Sequence, residues 1–218
     1  MGQRHQAFLI ARVVPHGGTE AHYRCVAAVH HGWCYGRLPL QATRRLLTLI
    51  KDEDNAEIIR EEIRTLDGRY GRWKEEPVLP NLPCPYTSYL LEWAWSYDLP
   101  GHLRQICFSV DADVGYSETD NNGGISVIDI TDPENPAYCF VAVHGLESEV
   151  GVPLLVPLSA EDYVRAYYPG VDEEELEIEG ARSIEEDVIS SITRLDGEPL
   201  VDLDMLAETW PGAGFSEG

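Results

Sequence analysis

Two apolar runs open the chain. Residues 6–14 (QAFLIARVV) end at Pro15, His16, Gly17 and Gly18, and residues 22–31 (HYRCVAAVHH) follow shortly after. Both are short and rich in β-branched or aromatic residues. The first closes in turn formers, so together they predict an antiparallel strand pair. Alternation along the second strand puts Tyr23, Cys25, Ala27, Val29 and His31 on one face, and Arg24, Val26, Ala28 and His30 on the other. The period then lengthens. Pro39 suits the first position of a helix whose apolar face is Leu46, Leu47 and Ile50, ending near Lys51. Ile59, Ile63 and Leu66 mark a second helix, with Asp54 or Asn55 as its cap and Gly68 as its stop.

Prolines at positions 77, 80, 83 and 85 make residues 77–85 an extended connector. Beyond it Tyr89, Trp93 and Tyr97 recur every four residues. This predicts a helix over 86–97 with an aromatic stripe turned to the core; the same stripe left exposed would mark an interface. Strands are expected at 104–110, 124–130 and 137–144. Turn formers precede the last two, which should pair as a hairpin. Ser159 with Asp162 resembles a capping box opening a helix that ends at Pro169-Gly170. Ser183 with Glu186 is a fuller box for a helix lined by Ile184, Val188, Ile192 and Leu195. The acidic run from Asp172 to Glu179 reads as a solvated loop, and residues 211–218 as a frayed tail. The expected fold is a single α+β domain over 1–210, a mixed, mainly antiparallel sheet of about five strands with helices packed on it.

Composition supports a real core. Of 218 residues, 44% are apolar and 25% charged, too apolar for a disordered chain. The net charge of −22 is uneven: residues 1–74 hold 12 basic and 8 acidic residues, whereas residues 75–218 hold 4 and 30. Such a field repels phosphate backbones and anionic headgroups, so direct nucleic-acid binding and membrane association are not expected. A basic protein partner fits it better. Five scattered cysteines, odd in number and without a C-x-x-C pair, read as buried thiols of a reducing compartment. No secretory leader or membrane-length apolar run is visible, and Gln6 stands where a myristoylation signal needs Ser or Thr. The expected location is cytoplasmic or nuclear.

Chemistry-bearing residues gather where strands are expected to end. His30-His31-Gly32-Trp33-Cys34-Tyr35-Gly36 closes the second strand, and histidine as base beside cysteine as nucleophile is one use of such a site. His5 would lie beside His31 if the first two strands pair, and His144 ends another strand. The candidate catalytic set is thus His5, His31, Cys34 and His144, with only one of the adjacent His30 and His31 able to face it. Asp111, Asp113 and Asp120 are candidate metal ligands by their nearness to glycines. The EF-hand spacing fails, however, since Asn122 stands where the closing Glu belongs. No phosphate loop, dinucleotide loop or nucleophile elbow is present, and no cofactor is expected.

The opening Met1 to Gln6, the motif from His30 to Gly36, Asp120 to Gly124 with Ile128 to Ile130, and Pro157 to Ala160 leading to Ala166 to Tyr168 together resemble a family of uncharacterised proteins of filamentous fungi. The resemblance covers roughly residues 1–170. It implies a fungal source and a shared fold, and it carries over no activity and no catalytic residues. Two functional readings therefore stand on the residues themselves. One is an acidic interaction module for a basic partner; the other is a small-molecule enzyme or binder whose His/Cys set must converge on a pocket.

Overall fold

The computed structural model describes residues 4–34, 36–71, 81–96, 107–112, 121, 124–141, 156–167, 190, 192–213 and 215. Five strands form one sheet: β1 (His5–Val13), β2 (His22–His31), β3 (Cys107–Val110), β4 (Ile125–Asp129) and β5 (Ala137–Val141), in the order β3-β2-β1-β4-β5. β1 and β4 run parallel; every other neighbouring pair is antiparallel, including the β4–β5 hairpin that the turn formers predict. The helices with described bounds are α1 (Arg37–Ile50), α2 (Glu53–Leu66), α3 (Pro85–Trp95), α4 (Ala160–Tyr167) and α5 (Leu203–Thr209); residues 192–195 are helical as well, with Leu195 buried. This is the α+β architecture that the patterning predicts.

The central strand, β1, is covered on both faces, and Arg12 alone of its residues is exposed. On one face Ala7, Leu9, Val29, Ile128 and Phe140 pack under Leu46, Ile59, Leu91 and Tyr163 of the first four helices. On the other, Phe8, Ile10, Ala28, Val127 and Cys139 pack under Val201, Leu206 and Phe215. Each Leu or Ile fully buried here contributes about 1.5–3 kcal/mol.

The strict alternation expected for β2 fails. Leu9 pairs with Ala27 but Ile10 pairs with Cys25, so Val26 is an extra residue in the ladder. That bulge flips everything before it. Tyr23 and Cys25 lie with Ala28 against the second core, while Val26 and Ala27 both join Val29 in the first.

The α1 face of Leu46, Leu47 and Ile50 is buried as expected, although the helix begins two residues before Pro39. The α2 face of Ile59, Ile63 and Leu66 is buried too, but its cap is Asp52, whose carboxylate accepts from the Asn55 N–H at 3.3 Å. Gly68, with φ of +72°, ends that helix, and its N–H reaches the Val14 carbonyl at 2.8 Å. Gly124 enters β4 at φ +89°, and a Cβ there would stand 2.8 Å from the Val141 carbonyl oxygen, so both conformation and space require glycine. Ser159 caps α4, accepting from the Asp162 N–H at 3.1 Å.

The aromatic stripe of α3 faces outward, the reverse of the expectation. Tyr89 is 62% and Trp93 52% exposed, while Thr87, Ser88, Leu90, Leu91, Ala94 and Trp95 are buried. Polar anchors at both ends set this rotation. Glu62 accepts from the Tyr86 N–H (2.8 Å), the Thr87 N–H (2.9 Å) and the Thr87 hydroxyl (2.6 Å). Glu92 accepts from the Ser109 hydroxyl of β3 at 3.0 Å.

α5 was not anticipated by the periodicity. It is capped by Asp202, which accepts from the Met205 N–H at 2.8 Å, and it brings Trp210 edge-on to Phe8 with ring centroids 5.2 Å apart. Fraying is expected from residue 211, yet Phe215 is only 8% exposed and packs beside Trp210. Residues 77–80, Tyr97, residues 104–106 and 142–144, the run from Asp172 to Glu179 and the Ser183 box lie outside the described residues. Among the described residues no helix is long and apolar enough to cross a membrane.

Candidate functional site

The structure brings His5 and His31 together. They are directly paired residues of the antiparallel β1–β2 ladder, so their side chains leave the same face at the same level. Cys34 is buried in the apolar cluster that covers this face, and His144 lies outside the described residues. His30 takes the opposite face, its ring 5.3 Å from that of Phe108.

Neither paired histidine is open to solvent; their exposures are 0% and 1%. His5 Nε2 hydrogen-bonds the Ser126 hydroxyl at 2.8 Å, and its ring meets Tyr163 edge-on at 6.5 Å. His31 Nδ1 accepts from the Trp33 N–H at 3.0 Å, which leaves the ring proton on Nε2. Burial, and then the nearby charge of His30, hold the His31 pKa down at about 4. The ring is thus neutral at ordinary pH and a poor base, committed to closing the turn after β2. Burial pushes the thiols of Cys84 and Cys107 up to about 12, and that of Cys139 up further, so these are inert thiols rather than nucleophiles.

Asp111 Oδ2 accepts from the Asn81 amide at 3.0 Å, which joins the start of the α3 segment to the end of β3. Asp113 and Asp120 lie outside the described residues. Among the described residues no group of three or more His, Cys, Asp or Glu side chains is placed to hold a metal ion.

A different feature is open to solvent. The outer face of α2 and the segment entering α3 enclose a groove of about 860 Å³. Its lining carries five carboxylates, from Glu53, Glu57, Glu61, Glu62 and Glu134, and two guanidinium groups, from Arg60 and Arg64. Both arginines are already engaged within it: Arg60 with Glu134 at 2.5 Å and Arg64 with Glu61 at 2.5 Å. Glu62 is spent on the start of α3. Glu53 and Glu57, one turn apart, keep their charge turned to the groove. Ile58, 41% exposed, with Pro83 and Pro85 supplies an apolar lining.

The local sequence explains the groove. Ala56, Ile59, Ile63 and Leu66 take the core side of α2, so the intervening glutamates point outward. Glu134 is presented by the turn between β4 and β5, where Asp132 accepts from the Glu134 N–H (3.2 Å) and the Asn135 side-chain amide (2.8 Å). These bonds, the Asn135 amide first, hold the Asp132 carboxyl below its ordinary range. Glu53, Glu57 and Glu61 at four-residue spacing are visible in the sequence. They sit in residues 1–74, however, where arginines elsewhere cancel them in any bulk count.

No family model, no curated protein and no solved structure matches this chain.

Proposed function

We propose that the chain is an interaction module that takes up a basic protein segment in the groove along α2. The observation that carries this reading is the internal neutralisation of Arg60 and Arg64, which leaves Glu53 and Glu57 as carboxylates beside an apolar lining. Ile58 and the two prolines favour a peptide over a free cation, because they offer a side chain apolar area to cover. The overall charge of −22 adds long-range attraction for a basic partner. Isothermal titration with a short lysine-rich peptide tests the reading. Binding should be measurable at low salt, weaken as salt rises, and fall in the Glu53→Gln, Glu57→Gln double variant. Equal binding by the double variant would remove the groove from the account.

One observation favours a second reading, a small-molecule enzyme or binder built on His5, His31, Cys34 and His144: the first two are paired across β1–β2. Their burial and their existing hydrogen bonds make the groove the better supported site.

A further inference from the structure

Pro85, Tyr89 and Trp93 stand at i, i+4 and i+8 along α3, so they follow one another up one side of the helix. Pro85 lines the acidic groove, and Tyr89 and Trp93 are the two most exposed large apolar side chains among the described residues. The row therefore begins at the groove and leads away from it over about 12 Å of helix. Two aromatic rings laid open on one helix are costly to leave in water, and the anchors at Glu62 and Glu92 hold α3 in the rotation that exposes them.

We infer that this row extends the groove into a surface selective for arginine over lysine, its occupant being an extended peptide segment that carries several arginines. The inference rests on the groove reading above. The chemistry of the two halves converges on one side chain. A guanidinium group is planar, weakly hydrated, forks onto carboxylates and stacks flat on Tyr and Trp, whereas an ammonium group is compact and strongly hydrated. Glu53 and Glu57 supply the carboxylates; Tyr89 and Trp93 supply the faces. A second copy of this chain is a poorer occupant. Two chains of charge −22 meeting on this side would bring carboxylates against carboxylates.

The test titrates the full chain with two fluorescent peptides, one alternating arginine and serine, the other alternating lysine and serine, alongside sedimentation of the protein alone. The arginine peptide should bind more tightly, by about twofold to fivefold for each arginine stacked on a ring. Tyr89→Ala with Trp93→Ala should weaken the arginine peptide more than the lysine peptide and close the gap between them. Glu53→Gln with Glu57→Gln should weaken both. Equal binding of both peptides to the unaltered protein, unaffected by loss of the rings, would overturn the arginine assignment and leave the groove reading standing. Binding of neither peptide would overturn both. Self-association abolished by Trp93→Ala would assign the row to a second copy instead. Both aromatic positions are exposed, so the variants should melt with the parent protein; if Trp93→Ala did not, the single Tyr89→Ala variant carries the same comparison.

Discussion

Arg60 of α2 and Glu134 of the β4–β5 turn meet at 2.5 Å, and through them a helix and a hairpin distant in sequence both contribute to the lining of one groove. Both side chains are substantially exposed, so the pair contributes only about 0–1 kcal/mol to stability. Its larger effect is electrostatic. Arg60→Ala should leave the denaturation midpoint nearly unchanged while tightening binding of a basic peptide, because it removes a cation and releases the Glu134 carboxylate. Parallel denaturation and titration curves check both halves.

Glu62 is the opposite case. Its carboxylate accepts two backbone N–H groups and one hydroxyl at the start of α3, where helix donors have no intrahelical partner. Glu62→Ala should cost about 1–3 kcal/mol in urea denaturation. Glu62→Gln, which keeps acceptor oxygen but loses charge, should cost less. A cost under the error of the experiment would mean that α3 is held by its apolar face alone.

Trp210 packs edge-on to Phe8 and beside Phe215, covering the second core. Trp210→Ala should destabilise by about 2–3 kcal/mol, below the ~3–5 kcal/mol of a fully buried aromatic, because Trp210 is half-buried. Chemical denaturation with an unchanged slope would confirm a packing loss rather than a change in the unfolded state.

His31 links stability to acid. Its folded pKa lies at about 4, whereas an unfolded histidine titrates near ~6.5. Between those values the unfolded chain binds the extra proton. The contribution is therefore intact above the upper value and is lost as pH falls towards the lower one. Melting temperatures of the protein and of a His31→Gln variant should diverge in slope across that window. Parallel slopes would contradict the burial of this ring.

Cys25 is half-buried and hydrogen-bonded through sulfur to the Ala27 carbonyl, while Cys34, Cys84, Cys107 and Cys139 are buried. A thiol-reactive dye at neutral pH should modify Cys25 first and the others only on unfolding. Mass spectrometry of digested, labelled protein reads the order.

Much of the fold was legible in the sequence because it rests on local chemistry. The β1–β2 pair, the hairpin turned by Asp132 and Asn135, and the apolar faces of α1 and α2 follow from periodicity and turn residues. The bulge at Val26 was not legible, since one inserted residue leaves the apolar run intact while reversing the faces before it. α3 misled because it is apolar on nearly every side; its rotation is decided by long-range bonds from Glu62 and Glu92, which no spacing reveals. α5 is only seven residues long and relies on Asp202 and the sheet beneath it. At the candidate site, the pairing of His5 with His31 follows from the register of β1 and β2, and the burial of both is set by the helices packed over that face, which spacing does not reveal. The acidic groove went unseen because charge summed over a long stretch hides which face of α2 carries it.

The most direct test of the groove is a map of where a basic peptide lands. Amide chemical shifts of the labelled protein would be followed as an arginine-rich peptide is added at low salt. Perturbations should concentrate at residues 53–65, 89–93 and 134, with little change at His5 or His31. Perturbations centred on the β1–β2 end, or scattered over acidic positions without preference for α2, would contradict it.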